Sequence, residues 1–363
     1  MNKSDCEENA LNSRNCSKIV VPKITEKADV FHYTSSMGLK DILHKGSLWF
    51  TNIKYLNDKS EIIDGIKSSL KLIEIEQGIL PESIEKEIKL FLENLEREII
   101  KRVLDKNVFV CCFSKGWDEL PLWNYYTKDL MNQGYNIGFS CTKLVQTILD
   151  KNEKELNGCE LSFGNISYDE NLKNKYWMRM MRDFYMQKED DIKPIMKIFA
   201  NELISIGRDK IDSTDEEIQR LLDIEINSKF EETKKIEGHL PPIYSYCREK
   251  NKFCQSIDLD PTPYYKRKDF KSEKEIRIVI TVPDKNLKEL KEAGIYKFRI
   301  SKNVLVPYLE LKFDKRAISG ITISPTIQSD LIKTSLEEYC EYCDIDSHKL
   351  KLGIRNSDIP VRF

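Results

Sequence analysis

Three charged residues late in the chain have types and spacing that suit chemistry. The segment SEKEIRIVITV, residues 272–282, alternates charged and apolar side chains and therefore predicts a β-strand. Glu273, Glu275 and Arg277 would share one face of that strand, about 7 Å apart along the pleat. Two carboxylates and a guanidinium in this arrangement can hold a sugar hydroxyl, stabilise a cation or orient a nucleophile. The alternative is the solvated face of an antiparallel strand.

A candidate histidine lies far upstream, in a second predicted strand. The segment DVFHYT, residues 29–34, has strand-like alternation and carries His32 near its end. A serine or threonine at 34–36 is expected to cap a short helix that Gly46 ends, and a strand is expected at 48–51. A single histidine in such a place is often structural, so His32 needs a partner to become a candidate.

Seven short motifs follow one another along the chain. They are FHYTS at 31–35, LND with a later Glu at 56–61, CFS at 112–114, LW with a later Tyr at 122–126, NIGFS at 136–140, Glu-x-Glu-x-Arg at 273–277 and SDIPVR at 357–362. In this order they resemble the bacterial domain-of-unknown-function family 2971, from about residue 29 to the C-terminus. Ile276 stands where that family usually carries an aromatic residue, and residues 141–260 match little of it.

That family in turn resembles the ADP-ribosyltransferase-like superfamily. The resemblance implies an α+β fold with a mixed, mainly antiparallel sheet and a helical insertion. It matches His32 to the histidine of the first strand, Glu275 to the late glutamate and Glu273 to its partner. Tyr126 or Trp123 would be the aromatic residue that stacks on the ligand.

The resemblance implies that NAD is a substrate whose nicotinamide–ribose bond breaks through an oxocarbenium-like state. Glu275 would stabilise that cation, and Glu273 would take a proton from the acceptor or position an acceptor arginine. His32 would anchor a ribose hydroxyl, Tyr126 would stack on nicotinamide, and Arg277 would pair with a glutamate. The expected contacts to NAD are His32, Tyr33, Thr34, Trp123, Tyr126 and Arg277.

The sequence leaves three kinds of function open. The first is an NAD-consuming enzyme, either an ADP-ribosyltransferase or an NAD glycohydrolase, with a protein arginine, a nucleic acid base or water as acceptor. The second is a non-catalytic module that binds a nucleotide or RNA. The third is a regulatory or structural member of a bacterial defence or toxin system, with the helical insertion as its partner surface. The enzyme requires His32 and Glu275 to face one cleft, within about 10 Å of each other.

Charge and hydropathy exclude several classes of partner. The 58 basic and 60 acidic residues give a net charge of −2, so the chain as a whole attracts neither nucleic acid nor a membrane. A local exception is the basic stretch YYKRKDFK, residues 264–271, which could contact the NAD pyrophosphate or RNA. A solvated basic turn is the alternative. No apolar run approaches the roughly 20 residues of a membrane span.

The N-terminal segment and the ten cysteines indicate a cytoplasmic protein with reduced thiols. Cys340 and Cys343 have metal-like spacing, but Cys247 and Cys254 are too far apart to complete a usual zinc knuckle, so no metal site is expected.

The periodicity of the chain predicts four regions. They are a flexible arm at 1–28, the first half of the α+β domain at 29–170, a helical insertion at 171–260 and the second half of the domain at 261–363. Helices are expected at 60–76 and 84–103, and a turn and loop region is expected to separate the strands at 276–282, 295–300 and 321–324.

Overall fold

The computed structural model describes residues 29–56, 105–127, 133–171, 243–247, 252–256 and 262–360, together with Arg97, Ile100 and Lys101. The chain divides into two compact units. The first comprises Met1–Asn57, Lys106–Tyr168 and Pro241–Phe363, and the second comprises Asp58–Asp105 and Asp169–Leu240. The expected arm at 1–28, the helix expected at 60–76, most of the helix expected at 84–103 and most of the expected helical insertion lie outside the described residues.

Twelve strands and five α-helices lie in the described part of the chain. The strands are β1 (Asp29–Thr34), β2 (Ser47–Asn52), β3 (Asn107–Ser114), β4 (Tyr135–Ser140), β5 (Glu160–Asn165), β6 (Ile243–Cys247), β7 (Lys252–Ser256), β8 (Glu275–Val282), β9 (Tyr296–Ser301), β10 (Val304–Lys312), β11 (Ile318–Ile323) and β12 (Gly353–Asn356). The helices are α1 (Ser36–Lys45), α2 (Leu120–Tyr126), α3 (Cys141–Lys151), α4 (Asp284–Glu292) and α5 (Asp330–Tyr342).

All twelve strands belong to one sheet. Its main path runs β12-β11-β4-β1-β3-β8-β5-β6-β7, and a side branch joins β2 to β3, β10 to β2 and β9 to β10. Strands β11 and β12 run parallel, and the other pairs of named strands are antiparallel. The predicted α+β class with a mixed, mainly antiparallel sheet is therefore confirmed.

Strand β3 is the point at which the sheet forks. One edge of β3 pairs with β8 along all of its 8 residues. The other edge pairs with β1 at Ser114 and with β2 at Phe109 and Val110. From there β1 continues into β4, β11 and β12, whereas β2 continues into β10 and β9. Residues 111–113 therefore lie between the two branches, and we call this gap the fork.

Helix α1 forms between the two branches for the reasons that the sequence predicts. The hydroxyl of Ser35 accepts a hydrogen bond from the backbone N–H of Gly38 at 3.1 Å and caps the helix. Gly46 ends the helix at φ 57°, a left-handed conformation that glycine adopts without a Cβ clash. The helix buries Leu39, Ile42 and Leu43.

One large apolar core holds both branches together. Val30 of β1, Phe50 of β2, Phe109 of β3, Ile278 of β8 and Leu309 of β10 are all buried in it. Burial of these side chains removes apolar surface from water, which is the main favourable contribution to folding. In the described residues no helix is long and apolar enough to cross a membrane.

Two expectations about the elements are wrong. The region after β8, expected to be turn and loop around one strand, also contains helix α4 and the long strand β10. Strand β10 contains Pro307, which lacks an N–H and is therefore uncommon inside a sheet. It is tolerated because pairing of β10 with β2 begins one residue later, at Tyr308.

The segment expected to be a helical insertion contains a β-hairpin. Strands β6 and β7 pair with each other, and β6 pairs with β5, so the hairpin extends the sheet. The sequence of β6, IYSYC, alternates its two tyrosines with other residues, and tyrosine favours strands.

Candidate functional site

Glu275 and Arg277 lie on β8, between β3 and β5 in the middle of the sheet. These two residues are 4% and 2% exposed, and Ile276, Ile278 and Ile280 on the other face are buried as well. The charged side of β8 is therefore not a solvated face. Because burying an unpaired charge is costly, both residues must have close partners.

Glu273 does not share the strand with Glu275, as the spacing had predicted. It ends a 3-10 helix, Lys268–Glu273, and the next residue, Lys274, has a left-handed φ of 48°. This conformation is uncommon for a residue with a Cβ, so it could not be predicted from the sequence. It breaks the pleat between the two glutamates, and the expectation of one shared strand face is wrong.

Lys266 nevertheless joins the two glutamates. Its Nζ donates to Oε2 of Glu273 at 2.7 Å and to Oε2 of Glu275 at 3.2 Å. Arg277 donates from Nε to Oε1 of Glu275 at 2.7 Å and from Nη1 to the carbonyl oxygen of Pro263 at 2.8 Å. We call Lys266, Glu273, Glu275 and Arg277 the ion cluster. Its two positive and two negative formal charges cancel.

The ion cluster keeps Glu275 ionised. Burial by itself raises the pKa of this carboxyl group, but the charges of Arg277 and Lys266 outweigh burial and lower the pKa to about 2. The neighbouring thiol of Cys112 behaves oppositely, since burial and then the charge of Glu275 raise its pKa well above the ordinary value. Cys112 is therefore a protonated thiol, and its hydrogen bond also favours the charged form of Glu275.

His32 is half-buried near the end of β1, and its ring is neutral at neutral pH. Its Nδ1 lies 3.0 Å from the carbonyl oxygen of Cys112, so Nδ1 carries the hydrogen of this bond. Burial lowers the pKa of His32, and the hydrogen bond to Cys112 opposes that effect. Nε2 is consequently an acceptor, and it has no hydrogen bond within the described part of the chain.

A pocket of about 80 Å³ lies at the fork. Its wall consists of residues 31–33 of β1, residues 112–114 of β3, Leu122 and Tyr126 of α2, and Glu273 and Glu275. The pocket therefore brings together four of the residues that the resemblance singles out: His32, Tyr126, Glu273 and Glu275.

The ladder puts His32 and Glu275 on opposite faces of the sheet. Phe31 is opposite Ser114, and Ser114 is opposite Glu275, so these three side chains share a face and His32 takes the other. The two side chains were expected to face one cleft, and the sheet itself does not bring them to one face. Both still border one pocket, because β1 and β3 pair at one position only and separate beside His32.

The two candidate stacking residues have different environments. Tyr126 is 38% exposed, and its hydroxyl lies 3.5 Å from Oε2 of Glu273. Trp123 is fully buried; it donates from Nε1 to Asp118 at 2.8 Å and packs edge-on against Tyr33. Trp123 therefore packs against Tyr33 of the pocket wall, and its ring is not accessible to a ligand.

Of the remaining expected NAD contacts, one borders the pocket and two do not. Tyr33 borders the pocket, and its hydroxyl donates to the carbonyl oxygen of Gly116 at 3.0 Å. Thr34 lies opposite Tyr135 on β4 and is not part of the pocket wall. Arg277 is also absent from the wall and acts on Glu275.

Sequence reasoning missed three residues of the site: Lys266, Cys112 and Tyr168. Lys266 belongs to the basic stretch at 264–271, for which contact with pyrophosphate or RNA and a solvated basic turn were both open, but it is buried in the ion cluster. Tyr168 accepts a hydrogen bond from the backbone N–H of Glu275 at 2.9 Å. Cys112 stands in the CFS motif, which was the available signal for it.

The described residues contain no group of three or more His, Cys, Asp or Glu side chains that could hold a metal ion. Cys340 and Cys343 are buried free thiols.

Comparison of the chain with protein-family models, curated proteins and solved structures found no match.

Proposed function

We propose that the pocket binds the nicotinamide–ribose end of NAD and that the protein breaks the bond between these two groups. The observation that carries this proposal is Glu275, a carboxylate that stays ionised although it is almost wholly buried beside a pocket. Loss of nicotinamide leaves a positive charge on the ribose ring. A fixed negative charge in a site that excludes water stabilises such a charge far more than it would in water.

The other pocket residues suit this reaction. Nε2 of His32 can accept a hydrogen bond from a ribose hydroxyl, since the ring is neutral and held by Cys112. The partly exposed ring of Tyr126 can stack on nicotinamide. Arg277 and Tyr168 hold the side chain and the backbone of Glu275 and so act as positioning residues.

The size of the pocket limits what it can take. Sites for whole drug-sized ligands span roughly 300–1,000 Å³. A volume of about 80 Å³ therefore encloses only part of the nicotinamide–ribose end and leaves the rest of NAD outside the pocket. The resemblance to ADP-ribosyltransferase-like proteins supports the same choice of ligand.

A second candidate function is a non-catalytic module that binds a nucleotide or RNA. It is favoured by the cancellation of charge in the ion cluster, since Lys266 and Arg277 already compensate the two carboxylates. This alternative predicts that NAD binds without release of nicotinamide and that Glu275→Gln leaves binding intact.

The test is release of nicotinamide from NAD, followed by chromatography. We expect the wild-type protein to release nicotinamide and the Glu275→Gln variant to lose roughly two orders of magnitude in rate, as when one electrostatic stabiliser is removed. Glu310→Gln is the matched control, because Glu310 of β10 is ion-paired with Lys297 of β9 and does not border the pocket. Binding of NAD without nicotinamide release by the wild type would favour the second candidate.

A further inference from the structure

We infer that the acceptor in the proposed reaction is water, so that the protein hydrolyses NAD and does not transfer ADP-ribose to an arginine. This inference rests on the proposed function. It depends on Lys266, a residue of this chain that occupies the place where a cationic acceptor would have to bind.

Lys266 competes directly with any acceptor guanidinium. Its ammonium group lies 2.7 Å from Oε2 of Glu273, and the hydroxyl of Tyr126 approaches the same oxygen at 3.5 Å. The side chains of Lys266 and Glu273 are 7% and 6% exposed. An arginine from another protein would have to reach a buried carboxylate that already has a buried cation as its partner.

Lys266 is also held in place from several sides. Its backbone N–H donates to the carbonyl oxygen of Ser167 at 3.1 Å. Its Nζ lies 4.6 Å from the ring centroid of Phe270 and bridges to Glu275 as well as to Glu273. Displacing the ammonium group would break two buried ion pairs, and such breaks are strongly unfavourable.

Water meets none of these obstacles. A water molecule needs only about 10–15 Å³ beside the bound ribose, and because it is uncharged it does not have to displace Lys266 from Glu273. In the hydrolysis, the bond from nicotinamide to C1′ of ribose breaks and its electron pair leaves with nicotinamide. The water oxygen bonds to C1′, and one proton is released. The products are nicotinamide and ADP-ribose.

The experiment incubates the full chain with NAD in ¹⁸O-labelled water, with and without agmatine as a small guanidine acceptor. We expect equal amounts of nicotinamide and of ADP-ribose with one ¹⁸O atom, and no effect of agmatine. ADP-ribosylated agmatine or protein formed by the wild type in place of ADP-ribose would overturn the inference. Absence of nicotinamide release would overturn the proposed function itself, so the two failures can be told apart.

The role of Lys266 is tested by Lys266→Ala, with Lys268→Ala as the matched control at an exposed lysine nearby. We expect Lys266→Ala to form ADP-ribosylated agmatine, because the side of Glu273 facing Lys266 becomes open to a guanidinium, and Lys268→Ala to behave as the wild type. A folded Lys266→Ala variant that forms no such product would contradict the role of Lys266. If Lys266→Ala does not fold, Lys266→Met keeps the aliphatic stem and is measured in its place.

Discussion

The four side chains of the ion cluster are all buried and paired with one another. Glu273, Glu275, Lys266 and Arg277 are each less than a tenth exposed, and each cation lies within hydrogen-bond distance of a carboxylate. Removing one partner of a buried ion pair typically costs about 3–5 kcal/mol, whereas an exposed pair contributes about 1 kcal/mol or less. Every variant at these positions therefore needs a stability measurement beside its activity.

Glu275 links the stability of the protein to pH. Its pKa in the folded protein, about 2, lies below the ordinary value of 4.5. Its contribution to the free energy of unfolding is therefore fully present above pH 4.5 and is lost as the pH falls toward 2. A shift of this size corresponds to about 3 kcal/mol.

Urea unfolding at pH 6 and at pH 3 tests this link. We expect the wild type to lose stability between these two pH values and Glu275→Gln to lose less, because its amide does not titrate. Equal losses in the two proteins would mean that Glu275 is not held ionised by Lys266 and Arg277.

At the scale of elements, one carboxylate fastens helix α2 to the C-terminal segment. Asp118, just before the helix, accepts hydrogen bonds from Nε1 of Trp123 at 2.8 Å, from the hydroxyl of Ser357 at 2.6 Å and from the backbone N–H of Asp358 at 2.7 Å. The C-terminal segment is thereby fastened to the helix that brings Tyr126 to the pocket.

We expect Asp118→Ala to lower the free energy of unfolding by about 3 kcal/mol, since several hydrogen bonds to a charged group are lost together. Cleavage by trypsin at Arg355, beside the released segment, should become faster. Asp150→Ala is the control, because Asp150 is exposed on α3 and accepts from Gln146 within the same helix. If the Asp118→Ala variant is as stable and as resistant to trypsin as the control, the role assigned to Asp118 is contradicted.

Elements governed by short-range patterns could be predicted from the sequence. The unit β1-α1-β2 follows from Ser35, from Gly46 and from the alternation of apolar residues. Strand β10 was missed because Pro307 is tolerated only through its place in the ladder, and that place depends on distant strands. Glu273 was misplaced because the turn at Lys274 is left-handed without a glycine.

The candidate site could be predicted only in part, for a related reason. Glu275, His32 and Tyr126 were expected there and do border one pocket. Lys266 can bridge both glutamates only because the 3-10 helix and the turn at its end bring Glu273 close to it. A basic stretch in a sequence is more often solvated, so this burial was not expected. The burial of Trp123 likewise depends on the packing of α2 against β1.

At the scale of the whole molecule, the fork sets where the site can be. The branch through β1 and the branch through β2 both start from the same edge of β3. Between them, residues 111–113 have no paired strand along that edge. His32, 80 residues away in the chain from Cys112, bonds to the backbone in this gap. The local residue pattern of β1 or β3 does not indicate how two segments so far apart in the chain pair, so the fork could not be predicted.

Exchange of backbone amide hydrogens for deuterium should detect the fork at single-residue resolution. In an antiparallel strand the N–H and C=O of a residue point to the same side. Cys112 turns its carbonyl toward His32, so its N–H also points into the fork, whereas those of Cys111 and Phe113 point at β8. We expect the Cys112 amide to exchange faster than its two neighbours, by about an order of magnitude or more. Strand β3 would then be protected from exchange except for one amide hydrogen at the pocket. Equal protection of the amides along 111–113 would show that the gap is closed in solution.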